Sequence, residues 1–421
     1  MKRTNILVIA LMLCAVSSFF AAPIVQDNSS ELIVISGKVI DSATSENLVF
    51  ATIGLQNSNL ATVSNSEGDF IIKIPREMGD DVLEVSFLGH KTYAAPIASI
   101  KTHKQITIRL EPVSVSLSEL NVFPNDPHII INNVLNNIQD NYSSESELMT
   151  AFYRETIKKG RHYTALSEAV VEINKPPYLG NKTEQVRLLK GRKGINVSKM
   201  DTVLFKLQGG AHSMLSIDIV KYPYFFLSPE IQDDYNYKFE TITLIDDELH
   251  LVISFRQKDN IDDPLFFGKL YIHAETMAIS SATFSLNTED RNKASNILIR
   301  KKPIGSDIYP VYANYIVNYR RQGDKYYYSY SRGEVNFKID WDKRLFKTNY
   351  ITSSEMAITD RKVEKLKPFR GDDRIKNNAI MSEEVSEFYD KDFWGEYNVI
   401  EPEKSINTAI RKIARSIEKL D

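Results

Sequence analysis

The chain has 421 residues, enough for two or three domains. Its hydrophobic fraction of 43% and charged fraction of 25% are those of a globular protein with a core to bury. A formal charge of −3 gives no electrostatic ground for nucleic-acid binding, which needs a basic face.

The first element is not part of the fold. Lys2 and Arg3 precede an apolar run from Ile6 to Val16, extended by Phe19 and Phe20 and followed by Ala21 and Ala22. This is the layout of a secretory signal peptide over residues 1–22. The run is too short to favour a membrane helix. Cys14, the single cysteine, follows Leu13 rather than the small residue that lipoprotein acylation needs, so a plain signal is expected. The exported chain then carries no cysteine. Disulfides, thiolate catalysis and zinc sites built on thiolates are excluded. The expected address is the periplasm or the periplasmic face of the outer membrane.

From Leu32 the chain reads as short strands divided by turn formers: 32–40, 49–56, 61–64, 69–74, 82–88 and 105–110. That rhythm predicts a β-sandwich. Asn65-Ser66-Glu67-Gly68 is a tight turn with Gly68 free to take positive φ.

The residues here resemble the carboxypeptidase regulatory-like domain. Gly37, Val39 and Asp41 match its opening, and Ala51, Thr52 and Ile53 its second strand. Thr62, Asn65, Gly68 and Phe70 match its turn, and Val85, Ser86, Phe87 and Gly89 a late strand. The family usually has Tyr at the position of His90 and a Pro near Leu48. The resemblance implies a seven-stranded prealbumin-like sandwich over residues 32–112. Residues 113–126 read as a linker. Its Leu117-Ser118-Glu119-Leu120-Asn121-Val122 looks like the segment that follows this module in TonB-dependent outer-membrane transporters. Too few residues follow for a plug and a 22-stranded barrel, so a transporter is not expected.

Asp126-Pro127 opens a helix with Asp as N-cap, and Ile131, Val134, Leu135, Ile138 and Tyr142 form its apolar stripe. Period-2 alternation then dominates to residue 360. Leu249, Leu251, Ile253 and Phe255 alternate with His250, Val252 and Ser254, which places His250 on the wetter face. Residues 268–273 and 278–286 read as a hairpin. One helix and a long meander predict an antiparallel half-barrel-like sheet over 127–360, and this resembles periplasmic lipoprotein-carrier and sorting proteins. Phe152-Tyr153-Arg154-Glu155, with Glu168-Ala169, resembles a phrase found after the regulatory-like module in uncharacterised envelope proteins. Residues 361–421 form a C-terminal extension: a charged stretch, a short helix at 382–390, an aromatic anchor at Phe393-Trp394, and an amphipathic helix over 403–420.

Chemistry is sparse. The seven histidines form no H-x-x-E, H-E-x-x-H or H-x-H, and no zinc carboxypeptidase ligand set is present. There is no G-x-S-x-G, P-loop or G-x-G-x-x-G. His212-Ser213 are sequence neighbours, and triads assemble in space instead. Asp233-Asp234, Asp246-Asp247, Asp262-Asp263 and Asp372-Asp373 fit turns. Lys190 to Gly194 reads as a basic hairpin tip. Tyr315 and Tyr319 share an alternation with Val311, Ala313 and Val317, so the two tyrosines are expected in the core. No catalytic, cofactor or metal residues are assigned. Tyr326, Tyr328, Tyr330, Phe393 and Trp394 are the candidate ligand or partner surface.

The expectation is therefore a mainly β, exported, non-enzymatic envelope protein without a cofactor. It binds a ligand, lipidic in the leading form, or a protein partner. One alternative is a glycan- or protein-binding accessory factor of an outer-membrane uptake system. Another is a hydrolase with an unrecognised site. An open inner face would favour ligand carriage, and one filled by residues 127–142 and 403–420 would favour an interaction role.

Overall fold

The computed structural model describes residues 32–102, 104–113, 126–195, 207–302, 304–342, 345–364, 367–387 and 393–408. The signal region with Cys14, nearly all of the 113–126 linker, and residues 409–421 of the amphipathic helix lie outside the described residues.

Seven strands open the fold: β1 (Leu32–Asp41), β2 (Thr52–Leu55), β3 (Ala61–Val63), β4 (Asp69–Pro75), β5 (Val82–Ser86), β6 (Tyr93–Pro96) and β7 (Ile106–Leu110). They form one sheet in the order β4-β1-β7 and another in the order β3-β2-β5-β6. Strict alternation in β4 buries Phe70, Ile72 and Ile74, which meet Val39, Ile53, Val85 and Ile108. Gly68 turns at φ 78°, and the Asn65 side chain accepts the backbone N–H groups of Glu67 and Asp69. His90, one of the two departures from the resembled pattern, reaches Asp41 at 3.0 Å through Nε2. The backbone N–H of Thr44, and next His90, hold the Asp41 carboxyl down at about 2.

The second unit is a large sheet flanked by short helices. α1 (Pro127–Asn136) starts as expected, with the Asp126 carboxylate accepting the His128 N–H at 2.9 Å. α2 (Ile138–Asn141) follows it directly. Then come β8 (Glu147–Lys159), β9 (His162–Lys175) and β10 (Gln185–Ile195). A segment over 207–232 holds α3 (Ala211–Leu215) and α4 (Pro229–Gln232). The meander follows as β11 (Tyr235–Ile245), β12 (Glu248–Gln257), β13 (Phe266–His273) and β14 (Ile279–Leu286). After α5 (Arg291–Leu298) it resumes as β15 (Ser306–Gln322), β16 (Lys325–Trp341) and β17 (Thr348–Val363). The order is β11-β12-β13-β14-β15-β16-β17-β8-β9-β10, with two-residue β18 (Ser386–Glu387) parallel to β10 at the edge. Where a helix was expected over 382–390, the described residues hold one at Met381–Glu384 that gives way to β18, and residues 388–390 lie outside the described residues.

The inner face is filled by the chain itself. Ile130, Ile131 and Val134 of α1 pack there, with Met214, Leu215 and Phe226 of the 207–232 segment. Phe226 stacks on Phe255 at 4.1 Å. Polar groups pin this filling. Lys175 of β9 contacts Asp218 at 2.7 Å and Glu184 at 3.3 Å, and the Tyr319 hydroxyl donates to Asp218 at 2.7 Å. Residues 404–408, the described start of the amphipathic helix, contribute Ile406 to the buried set. They follow a strap that lies on the other face.

That outer face is not wet at its centre. The strap and the sandwich cover it: Phe393, Trp394, Val399 and Ile400 cluster with Val63 of the sandwich and with Phe152, Val170, Tyr330 and Ala357 of the sheet. Beneath the strap, Arg154 is 2% exposed and Glu168 is fully buried, 2.8 Å apart. Arg192 also donates to Glu168 at 2.7 Å, and Arg154 reaches Glu355 at 3.3 Å and the Ile400 carbonyl at 2.7 Å. Burial alone would raise the Glu168 carboxyl, but Arg154 and Arg192 hold it below its ordinary value.

Bulges revise the alternation. The register shifts between Pro310 and Tyr312, which turns Val311 out of the core to 39% exposure. Lys190 to Gly194 is not a hairpin tip but the middle of β10, beside a bulge at Leu189. There Lys190 sits 4.6 Å over the Phe393 ring and Arg192 reaches Glu168.

Removing one member of a buried ion network strands the others. Glu168→Gln is expected to cost about 3–5 kcal/mol. Urea unfolding should show this as a lowered midpoint with an unchanged m-value.

Candidate functional site: the cleft between sandwich and sheet

The five aromatic residues expected to form a surface are all buried: Tyr326 2%, Tyr328 1%, Tyr330 0%, Phe393 8% and Trp394 8%. A bulge at Ser329 separates the tyrosines. Tyr326 and Tyr328 turn into the inner core, while Tyr330 turns outward and stacks on Phe50 of the sandwich at 5.4 Å. Phe393 and Trp394 are packed under the strap. These rings therefore join layers of the fold rather than face solvent. Phe50 takes φ 64°, a costly conformation for an aromatic residue, at the point where the sandwich docks.

The other candidates disperse. His212 Nε2 lies 3.2 Å from the Ile375 carbonyl, and the Ser213 hydroxyl donates to Gly210 O at 2.6 Å, so the two do not pair. Among the described residues, no group of three His, Cys, Asp or Glu is placed to hold a metal.

A polar cleft of about 350 Å³ opens where the sandwich meets one end of the sheet. The sandwich contributes Thr52, Gly54, Gln56, Glu84, Ser86 and Thr92. The sheet contributes two hairpin ends, Asp246 to Glu248 and Arg320 to Gly323. Asp246 and Asp247 form the two-residue turn between β11 and β12, at φ 52° and 61°. Paired positive φ is what such hairpins require, and Asp tolerates it. The turn zips onto the sandwich: Gly89 N–H donates to Leu244 O at 2.7 Å, and Thr92 N–H to Asp247 at 3.1 Å.

Arg320 crosses the junction. Its guanidinium donates to the Leu55 carbonyl at 2.6 Å. It fits because residue 54 is glycine; a Cβ there would lie 2.6 Å from Nη1. Burial lowers the Arg320 pKa, while Asp246 and Glu84 pull it the other way. Burial raises the Glu84 carboxyl, opposed by Arg320. Arg321 pairs with Glu248, whose second oxygen lies 3.1 Å from His273 Nε2. Four carboxylates thus face two arginines, both already engaged. The cleft has spare negative charge. Sequence reasoning found the Asp246-Asp247 turn but not the cleft, because its two walls come from units far apart in the chain.

Behind the cleft lies His250, 1% exposed rather than on a wet face. Its Nδ1–H donates to the Glu248 carbonyl at 2.9 Å, which leaves Nε2 to accept from the Ser280 hydroxyl at 2.7 Å. This is the neutral ring, and burial pushes its pKa down to about 4.

Residues 35–122 match the CarboxypepD_reg-like domain family, as the resemblance implied. No curated protein matches the chain. Several solved structures align over more than half of it, among them the following. A LolA superfamily protein from Nitrosomonas europaea is 12% identical, with 57% of this chain and 94% of that one covered and a TM-score of 0.21. A domain described as an outer membrane lipoprotein-sorting protein, from Vibrio parahaemolyticus, is 8% identical, with 58% and 94% covered and a TM-score of 0.25. A DUF1329 family protein from Desulfovibrio piger is 8% identical, with 57% and 93% covered and a TM-score of 0.23.

Two buried groups make opposite contributions to pH dependence. Unfolded, the His250 ring titrates at its ordinary 6.5, and folded at about 4. The unfolded chain then holds the extra proton in that window, so this term lowers stability as pH falls. Burial raises Glu155 from 4.5 to about 7, so its term lowers stability as pH rises from 4.5 to 7. The two largely offset between 4.5 and 6.5. His250→Asn should expose the Glu155 slope, a relative gain of about 2–3 kcal/mol from pH 6.5 to 4.5. Parallel curves of urea midpoint against pH for variant and wild type would refute this.

Proposed function

We propose that the chain is an exported, non-enzymatic envelope protein that binds a partner in the cleft between its sandwich and its sheet. The observation that carries this reading is the filled inner face. A guest there would have to displace α1 and the 207–232 segment and break the contact of Lys175 with Asp218. Burying a charge and then removing its partner costs several kcal/mol. That cost favours an interaction role over lipid carriage in the sheet.

Export rests on the apolar run Ile6–Val16 behind Lys2 and Arg3 and on the absence of cysteine from residues 23–421. Among the described residues no helix is long and apolar enough to cross a membrane, a statement that does not bear on β-barrels. The cleft's spare carboxylates favour a cationic group, such as a Lys or Arg side chain of a partner's exposed segment. The tyrosines do not support the glycan reading, since they are buried.

Binding to arrays of basic peptides tests the proposal. Wild type should bind Lys- and Arg-containing peptides, and Asp246→Lys should weaken this about tenfold, the effect of one repulsive contact near 1.4 kcal/mol. Preference for polyols on a glycan array would move the reading to sugars. Binding to neither class would sink it.

A further inference from the structure

The opposite end of the sheet carries a feature that partner binding does not explain. Ile304 is fully exposed, Leu345 is 96% exposed and Phe346 is 83% exposed. Single exposed apolar residues are ordinary, but three that cluster on loop tips are not. They do cluster. Ile304 belongs to the loop entering β15, and Leu345 and Phe346 to the hairpin joining β16 and β17. Ser306 pairs with Trp341 across that end, and Asp342 N–H donates to Gly305 O at 3.2 Å. The β8–β9 hairpin lies beside them, with Gly160 N–H donating to Asn349 O at 3.0 Å.

These tips are basic. The described residues of 158–162, 300–307 and 340–349 hold seven Lys and Arg against three Asp, in a chain of net charge −3. Lys302 pairs with Asp307 at 3.6 Å, Lys347 with Asp340 at 2.8 Å, and Lys158 sits 4.4 Å over the Tyr163 ring. Arg161, Arg300 and Lys301 are exposed and form no ion pair among the described residues.

We infer that this end docks onto an anionic lipid surface. Apolar tips ringed by Lys and Arg have two complementary regions to meet, acyl chains and negatively charged headgroups. An acidic protein partner would satisfy the ring but not three protruding apolar side chains. The inference is independent of the cleft, and its test does not involve the cleft residues.

Flotation with vesicles is the experiment. The full chain should float with vesicles of phosphatidylethanolamine and phosphatidylglycerol in equal parts and not with phosphatidylcholine alone. Raising salt should weaken this several-fold by screening the basic ring. Leu345→Ser with Phe346→Ser should lose about tenfold or more, since both side chains forgo burial. Arg300→Glu with Lys301→Glu should also lose binding. All four positions are exposed, so an unchanged urea midpoint checks that folding is intact. Every variant keeps the Ile6–Val16 run, so its own affinity for lipid cancels. No flotation, equal flotation with both lipids, or variants that float like wild type would each overturn the proposal.

Discussion

Arg154 is the side chain on which the rest of the architecture depends. Among the described residues it is one of the largest fully buried side chains, and its charge must be met from every direction. Glu168 comes from the neighbouring β9, Glu355 from β17 on the other side, and the carbonyl of Ile400 from the strap. A guanidinium suits this role because its planar donors reach several acceptors at fixed angles. One residue thus joins the first and last long strands of the sheet and commits the C-terminal segment to lie across them. The strap in turn holds the sandwich: the Asn398 side chain accepts from Lys73 N–H at 2.7 Å and donates to Lys73 O at 2.9 Å, as a neighbouring strand would.

The result is a sheet covered on both faces near its centre, by different means. Inside, the chain's own helices and the 207–232 segment provide an apolar filling with an ionic pin. Outside, aromatic rings and the buried ions carry a second domain. The sheet therefore serves as a partition. Accessible surface remains on the outer side of β11 to β13, where Lys238, Glu240 and Lys269 are exposed, and at the sheet's ends, where hairpins protrude beyond both layers. Both surfaces with unspent chemistry, the acidic cleft and the basic apolar tips, are built from hairpin ends.

Much of this was legible in the residues. The Gly68 turn, the alternation of β4, the Asp126 cap and the β13–β14 hairpin follow from local chemistry. The sandwich was legible because each of its turns is short and its core pattern strict. The inner half of the large sheet was legible too, but its wet half was not, because a covering strap 200 or so residues downstream leaves no local trace. Bulges at Leu189, Val311 and Ser329 each reverse the parity that period-2 reading depends on. That is why five aromatics read as one surface are divided between two cores. The phrase Phe152-Tyr153-Arg154-Glu155 stood out by resemblance before its physics was visible. Its Arg and the partner Glu168 are the buried ions, while Tyr153 and Glu155 share the inner side, where the tyrosine hydroxyl donates to the carboxylate at 2.8 Å.

β15 and β16 are each 17 residues long and run from the tips to the cleft. At about 3.3 Å per residue they hold those two places roughly 50 Å apart along the strand. The separation is a ruler with a coarse scale. Adding or deleting one residue in both strands would swap Arg320 to the inner side and put Val317 outside. A single-residue change keeps each side chain on its own face only where a bulge absorbs it, as Val311 does in β15 and Ser329 in β16. Without a new bulge, the distance between the two places changes in steps of about 7 Å, two residues at a time.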